Sequence, residues 1–165
     1  RRAVRLGELM LARRRFGAAA AEYGRARRLI GADEVPVVAR RYAFAQMQNG
    51  KLAEAEEALQ GATRKDPGDE AAQVLLAKVL IARNQSGGAE AALEAAVAED
   101  PFDPELHAAW IELARMRKDK ALEAREKRAL ALCTGKKAPG GETAPPEGAK
   151  VYTPEETSTG DEGHP

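Results

Sequence analysis

The segment AEEALQGATRKDPGD at residues 55–69 returns as AEAALEAAVAEDPFD at residues 89–103, 34 positions further on. Ala-Glu opens both copies, Leu stands fifth, Ala eighth, and Asp-Pro-x-Asp closes both. A chain that writes one pattern twice at a fixed spacing folds as an array, because a single unit cannot bury its apolar face without a neighbour. Each copy reads as two amphipathic helices. Val74, Leu75, Val79, Leu80 and Ile81 recur at helical spacing within 70–83, and Leu93 and Val97 do the same within 89–98. Asn84-Gln85-Ser86-Gly87-Gly88 is expected to break the run between them, as Asn49-Gly50 does between 36–48 and 51–65. Pro36, Pro67 and Pro104 stand at or just before helix starts, where a missing N–H costs nothing. Asp103-Pro104-Glu105 reads as N-cap, first helical residue and first-turn acid.

Aromatic residues make up 4% of the chain and apolar residues 44%, so the core must be built largely from Ala and Leu on closely approaching helices. The small residues fall at fixed places. Counting from Pro36, residues Tyr42, Ala43, Gln46, Ala55, Leu59, Ala62 and Pro67 occupy positions 7, 8, 11, 20, 24, 27 and 32. Counting from Glu70, the same positions hold Leu76, Ala77, Leu80, Ala89, Leu93, Ala96 and Pro101. Leu6, Gly7, Met10, Ala19, Tyr23 and Ala26 fit positions 7 to 27 of a preceding unit, which carries two extra residues before Pro36. In a fourth unit from Pro104 the pattern weakens. Trp110, Ile111 and Ala114 hold positions 7, 8 and 11, but Glu123, Lys127 and Leu130 hold 20, 24 and 27. With Ala121, Leu122, Ala129 and Leu132 as its apolar stripe, and Arg125, Lys127 and Arg128 facing out, the helix at about 119–133 reads as a solvating cap.

These residues resemble the tetratricopeptide repeat, a helix-turn-helix unit with small side chains where its two helices cross. The resemblance implies an all-α, right-handed α-solenoid of about four units over residues 1–133, near 1–35, 36–69, 70–103 and 104–133. Residues 134–165 hold five of the nine prolines and few large apolar side chains, and read as a disordered acidic tail. Within it, Val151-Tyr152 is the only pair suited to docking, and an ordinary linker is the better reading of it.

The resemblance further implies a concave face, lined by first helices, that receives a peptide or helix from a partner protein. Carried over position by position, the groove places hold Val4, Glu8 and Leu11, then Val37, Arg40, Phe44, Met47 and Gln48, then Val74, Lys78 and Ile81, and last Glu105, Ala108, Glu112, Arg115 and Met116. The ligand-binding residues expected among them are Arg40, Phe44, Met47, Val74, Lys78, Ile81, Ala108 and Arg115. Phe44, Met47, Val74 and Ile81 would form an apolar stripe, with Arg40, Lys78 and Arg115 available to hold acidic groups beside it. The same apolar residues also suit packing of first helices on one another. The carboxylate clamp of the family's chaperone-tail receptors is missing, since Val4 and Glu8 stand at its places in the first unit and Arg41 in the second. A flexible acidic tail could visit the groove or the basic zone at 115–137. DPFDPELHAAWIELARM is similar to closing repeats of longer bacterial chains, some with a metallopeptidase-like domain, which implies as the alternative an accessory repeat domain of a larger bacterial enzyme or envelope protein.

Chemistry-bearing constellations are sparse. His107 and His164 are the only histidines, Cys133 the only cysteine, and no phosphate-cradling loop, paired CxxC or HExxH occurs. His107 reads as a packing residue, Trp110 as core and Cys133 as an inert thiol at a helix end. Glu54, Glu56, Glu57, Glu90 and Glu94 read as solvent-facing acids on second helices. No catalytic residue, metal ligand or cofactor is therefore expected.

Charge sums to zero but is zoned. Eleven Arg face four acids in 1–41, five bases face thirteen acids in 42–114, nine face three in 115–137, and one faces six in 138–165. Such blocks suit neighbour-to-neighbour attraction, a complementary partner or self-association. The basic end, Arg13-Arg14-Arg15 and Arg25-x-Arg27-Arg28, lacks the interleaved aromatics that nucleic-acid stacking needs, so no nucleic-acid role is expected. No apolar run approaches the length that spans a bilayer, and no signal peptide opens the chain. Residue 1 is Arg with the amphipathic pattern already running at Val4 and Leu6, so the start is expected to lie inside a longer protein and the compartment stays open.

Overall fold

The computed structural model describes residues 2–31 and 36–135; the acidic tail lies outside the described residues apart from Thr134 and Gly135. Eight helices run in chain order: α1 Arg2–Ala12, α2 Phe16–Ile30, α3 Pro36–Gln48, α4 Leu52–Lys65, α5 Glu70–Ala82, α6 Ser86–Glu99, α7 Pro104–Arg117 and α8 Lys120–Cys133. They form four helix-turn-helix pairs. Second helices α2, α4 and α6 pack on their own first helix and on the first helix of the next pair, and α8 packs on α7. First helices α3, α5 and α7 also touch directly, whereas second helices make no comparable contact with one another. Elements that meet across units lie on the inside of the bend, so the first helices line the inner face.

One backbone device closes every pair. Arg14, Gly50, Asn84 and Lys118 adopt the left-handed conformation, with φ of 55°, 79°, 60° and 57°. The following N–H then donates to the carbonyl five residues back: Arg15 to Met10, Lys51 to Gln46 and Gln85 to Leu80 at 2.8 Å, and Asp119 to Ala114 at 2.9 Å. This is the Schellman closure, which satisfies a carbonyl orphaned at the helix end. All four residues occupy the fifteenth place of their unit, so the fourth pair, loosely matched in side chains, keeps the repeat in its backbone. A side chain is strained there and Gly is not. Lys118→Gly is expected to raise stability by roughly 0.5–1 kcal/mol, read as a higher melting temperature with unchanged helical content.

The break between α5 and α6 is shorter than the sequence suggests. Only Arg83, Asn84 and Gln85 lie outside helix, and Ser86-Gly87-Gly88 form the first turn of α6. Asn84 turns the chain alone. Gly88 is then free to face α5, where an added Cβ would stand 3.3 Å from Leu80 Cδ1.

Helices α5, α7 and α8 begin on aspartate caps. Asp69 accepts from Ala72 N–H at 3.1 Å, Asp103 from Glu105 and Leu106 N–H at 3.1 and 3.0 Å, and Asp119 from Leu122 N–H at 3.0 Å. The crossing points are filled as the small positions require: Ala19, Ala43, Ala55, Ala77, Ala89 and Ala96 have no exposed surface. Two apolar clusters result. One joins the first pair to Val38 and Ala45 of α3, and the larger runs from α3 to α7, with Tyr42 packed against both.

The last pair departs from its neighbours. Ile111 fills the crossing that Ala occupies elsewhere and is buried, so Glu123 sits outside it and pairs with Arg115. The expected apolar stripe of α8 is only partly used. Leu122 and Ala129 are half-buried, while Ala121 and Leu132 are exposed, Leu132 at 81%.

Candidate functional site

The inner face holds an open groove of about 970 Å³. Helix α3 contributes Val37, Arg40, Arg41, Phe44, Met47 and Gln48, spaced so that one face of the helix looks inward. Helix α5 contributes Glu70, Ala71, Val74, Leu75, Lys78 and Ala82, and the fourth unit supplies Asp103, Glu105 and Glu112. Val37 and Phe44, seven residues apart and so on one face of α3, are 48% and 37% exposed and open to the groove. Phe44 is held from behind by Phe16 at the start of α2, edge-on with ring centroids 6.4 Å apart.

Of the eight residues singled out from the sequence, Arg40, Phe44, Met47, Val74 and Lys78 line this groove. Ile81, Ala108 and Arg115 do not. Ile81 packs against the core cluster, and Ala108 is half-buried. Arg115 turns toward α8, donating to Glu123 Oε1 at 2.9 Å, an oxygen that Lys127 also approaches at 2.7 Å. Val37, Gln48, Glu105 and Glu112, which the same transfer also places in the groove, line it too, and Arg41, Glu70 and Asp103 join them. Glu70 and Asp103 stand at the starts of α5 and α7, at places that the position-by-position transfer does not use.

The expectation that Arg40, Lys78 and Arg115 hold a partner's acidic groups meets a physical obstacle. Each already holds an acid of this chain. Arg40 bonds to Asp69, whose side chain is only 5% exposed, and Lys78 bonds to Glu105 on the next unit. With these pairs made, the groove's remaining charges are Glu70, Asp103 and Glu112 against Arg41. Asp103 caps α7, accepting from two backbone N–H groups. Beside it, burial first, and then the hydrogen bond and charge of Asp103, push the Glu70 carboxyl up to about 7, with Asp100 and Asp69 adding to the effect.

A carboxyl raised by folding binds a proton in the native state that the unfolded chain does not bind between about pH 4.5 and 7. Stability through this group therefore falls as pH rises across that window. Glu70→Gln removes the term. The variant is expected to melt above wild type near pH 8 and to converge with it near pH 5, measured by thermal unfolding at both conditions.

On the outer face the second-helix acids are not simply solvated. Glu56 pairs with Arg83, and 34 residues on Glu90 pairs with Arg117 at 2.7 Å, so one ion pair is written twice across successive junctions. His107 likewise does more than pack. Its Nδ1 lies 2.8 Å from Glu126 Oε2 and its Nε2 3.0 Å from the Pro101 carbonyl oxygen.

Residues 46–111 match the tetratricopeptide repeat family model. Residues 46–111 carry tetratricopeptide repeats. The same array appears in the crystal structure of a thermophilic tetratricopeptide repeat protein of Thermus thermophilus, with a TM-score of 0.73 at 17% identity over 81% of this chain and 74% of that one. A tetratricopeptide repeat protein of Parabacteroides merdae gives a TM-score of 0.70 at 14% identity, over 81% of this chain and 51% of that one. This chain thus spans about half of the Parabacteroides protein. No curated protein sequence matches the chain. Tetratricopeptide repeat domains are generally protein–protein interaction modules and usually non-catalytic. Among the described residues no helix is long and apolar enough to cross a membrane, and no group of three or more His, Cys, Asp or Glu side chains is placed to hold a metal ion.

Proposed function

We propose that this tetratricopeptide repeat array is a non-catalytic receptor that holds a peptide or helix of a partner protein in the groove of α3, α5 and α7. The observation that carries the reading is the exposure of Val37 and Phe44 above Met47 and Val74, on adjacent first helices and flanked by charge. Apolar anchors bury in such a groove while charges set the register of the incoming segment. Met47 adapts to varied shapes through its flexible thioether.

Reversing Arg40, Lys78 or Arg115 is a poor test, because each change breaks an internal pair. The better variant is Val37→Asn with Phe44→Ser, compared with Phe102→Ser on the turn before α7, where Phe102 is 74% exposed. In affinity capture from native lysate, a partner held by wild type and by Phe102→Ser but lost by the groove variant supports the reading. A partner that follows Phe102 instead moves recognition to the outer face and overturns it.

A further inference from the structure

The groove's wall of charge identifies the chemistry of its occupant, if the groove is the receptor surface proposed above. Its apolar floor would accept any amphipathic segment, so floor and rim must be read together. Two of the three cations at the rim are consumed internally, Arg40 by Asp69 and Lys78 by Glu105. The carboxylates are left over: Glu70 and Asp103 stand together at one end, and Glu112 stands along α7. The shortage at the first end is one of donors. Glu70 Oε1 and Asp69 Oδ2 are both buried and accept no hydrogen bond. Arg41, the lining cation outside those two pairs, is on α3.

We infer that the occupant is a basic amphipathic segment of a partner protein, burying apolar side chains on Val37, Phe44 and Met47 and presenting Lys or Arg to Glu70, Asp103 and Glu112. The same ledger excludes the chain's own tail, whose residues 138–165 carry six acids and one Lys and would meet like charge. An arriving ammonium or guanidinium supplies the missing donors. Glu70 is only partly buried, so a rotamer change brings its carboxylate to the newcomer. Asp103, Asp100 and Asp69 face Glu70, and only Asp69 has a cation of its own, Arg40. Binding a cation there therefore displaces the proton that those neighbours favour.

The test uses the full chain and three synthetic helical peptides with one Leu-rich face and a polar face of Lys, Gln or Glu, read by fluorescence anisotropy. A fourth peptide carries residues 138–165. The Lys peptide is expected to bind roughly tenfold more tightly than the Glu peptide, since each exposed charge pair contributes a few-fold and like charges cost as much. The advantage shrinks at high salt. Glu70→Gln with Glu112→Gln should erase most of it while leaving the Gln peptide unchanged. Affinity for the Lys peptide should rise from about pH 6 to about pH 8 in wild type and stay flat in Glu70→Gln. Equal or tighter binding of the Glu or tail peptide, lost in the Val37→Asn/Phe44→Ser variant, overturns the inference but keeps the groove as receptor. Concentration-dependent dimers that the groove variant abolishes make a second copy the occupant, and also overturn it. Binding of every peptide that is indifferent to Val37 and Phe44 overturns the groove reading itself.

Discussion

Gly7→Ala is expected to destabilise the protein by roughly 1–3 kcal/mol, although Ala is the better helix former by about 1 kcal/mol. The reason lies in a trade of volume between two places of the repeat. In the second and third units the crossing pairs Ala43 with Leu59 and Ala77 with Leu93, all fully buried. In the first unit the larger Tyr23 takes the place of Leu, also fully buried, and Gly7 takes the place of Ala. A Cβ on Gly7 would stand 2.8, 2.9 and 3.0 Å from three atoms of the Tyr23 ring. A buried ring cannot yield without moving its own helix, so overpacking outweighs the helical gain. Tyr23→Leu alone removes packing and should destabilise as well. In that background, however, Gly7→Ala recreates the crossing of the other units and should become neutral or stabilising. A double-mutant cycle by chemical denaturation reads the coupling, expected at 1 kcal/mol or more (~1–3) in favour of the matched pair. Additive effects would mean that Gly7 is small for another reason. Gly61→Ala in α4, where nothing lies within 4 Å of the added Cβ, is the control and should gain up to about 1 kcal/mol.

This trade shows what kind of information the sequence carries in readable form. The frame of small residues was legible because steric exclusion at a helix crossing leaves few residue types, and Ala43, Ala55, Ala77 and Ala89 sit where that rule puts them. The apolar half of the groove was legible for a related reason, since Phe44, Met47 and Val74 fall on the inward stripe of their helices. The charged half was not. Asp69, Glu105, Glu56 and Glu90 look like ordinary surface acids until the fold brings each to a cation 27 to 29 residues away. Ion pairing leaves no local trace, because any exposed helix face carries similar residues. The left-handed turns were half legible. Gly50 and Asn84 announce themselves, but Arg14 and Lys118 adopt the same conformation against their preference, carried there by the Schellman bonds and the packing of the pairs on either side.

The pairing of His107 with Glu126 is the other feature that the sequence hid, and its removal is expected to be costly and asymmetric. Glu126 would ordinarily be placed on the solvated side of a terminal helix. Its side chain is instead 8% exposed, against 12% for His107, and the two tie α8 to α7. The Pro101 carbonyl can only accept, so His107 Nε2 must donate to it, while Nδ1 faces Glu126 Oε2. His107→Leu strands a buried carboxylate with Arg125 Nε, at 2.9 Å, as its remaining partner, and that arginine is 71% exposed. A loss of about 3 kcal/mol is expected. Glu126→Leu leaves an imidazole that can stay neutral with its Pro101 bond intact, so about 1–2 kcal/mol is expected, the price of one unsatisfied buried group. The double replacement removes both polar groups and adds apolar volume between α7 and α8, and should return to within about 1 kcal/mol of wild type. Chemical denaturation of the four proteins decides the matter. Equal losses for the two single variants would show that the charge is not confined to the carboxylate, and an additive double variant would show that the two side chains stabilise α8 independently. If the cycle closes as expected, the last helix is held by a buried polar tie where its neighbours use alanine crossings, which explains how a pair with Ile111, Glu123 and Lys127 at the repeat's small and apolar places still stacks in register.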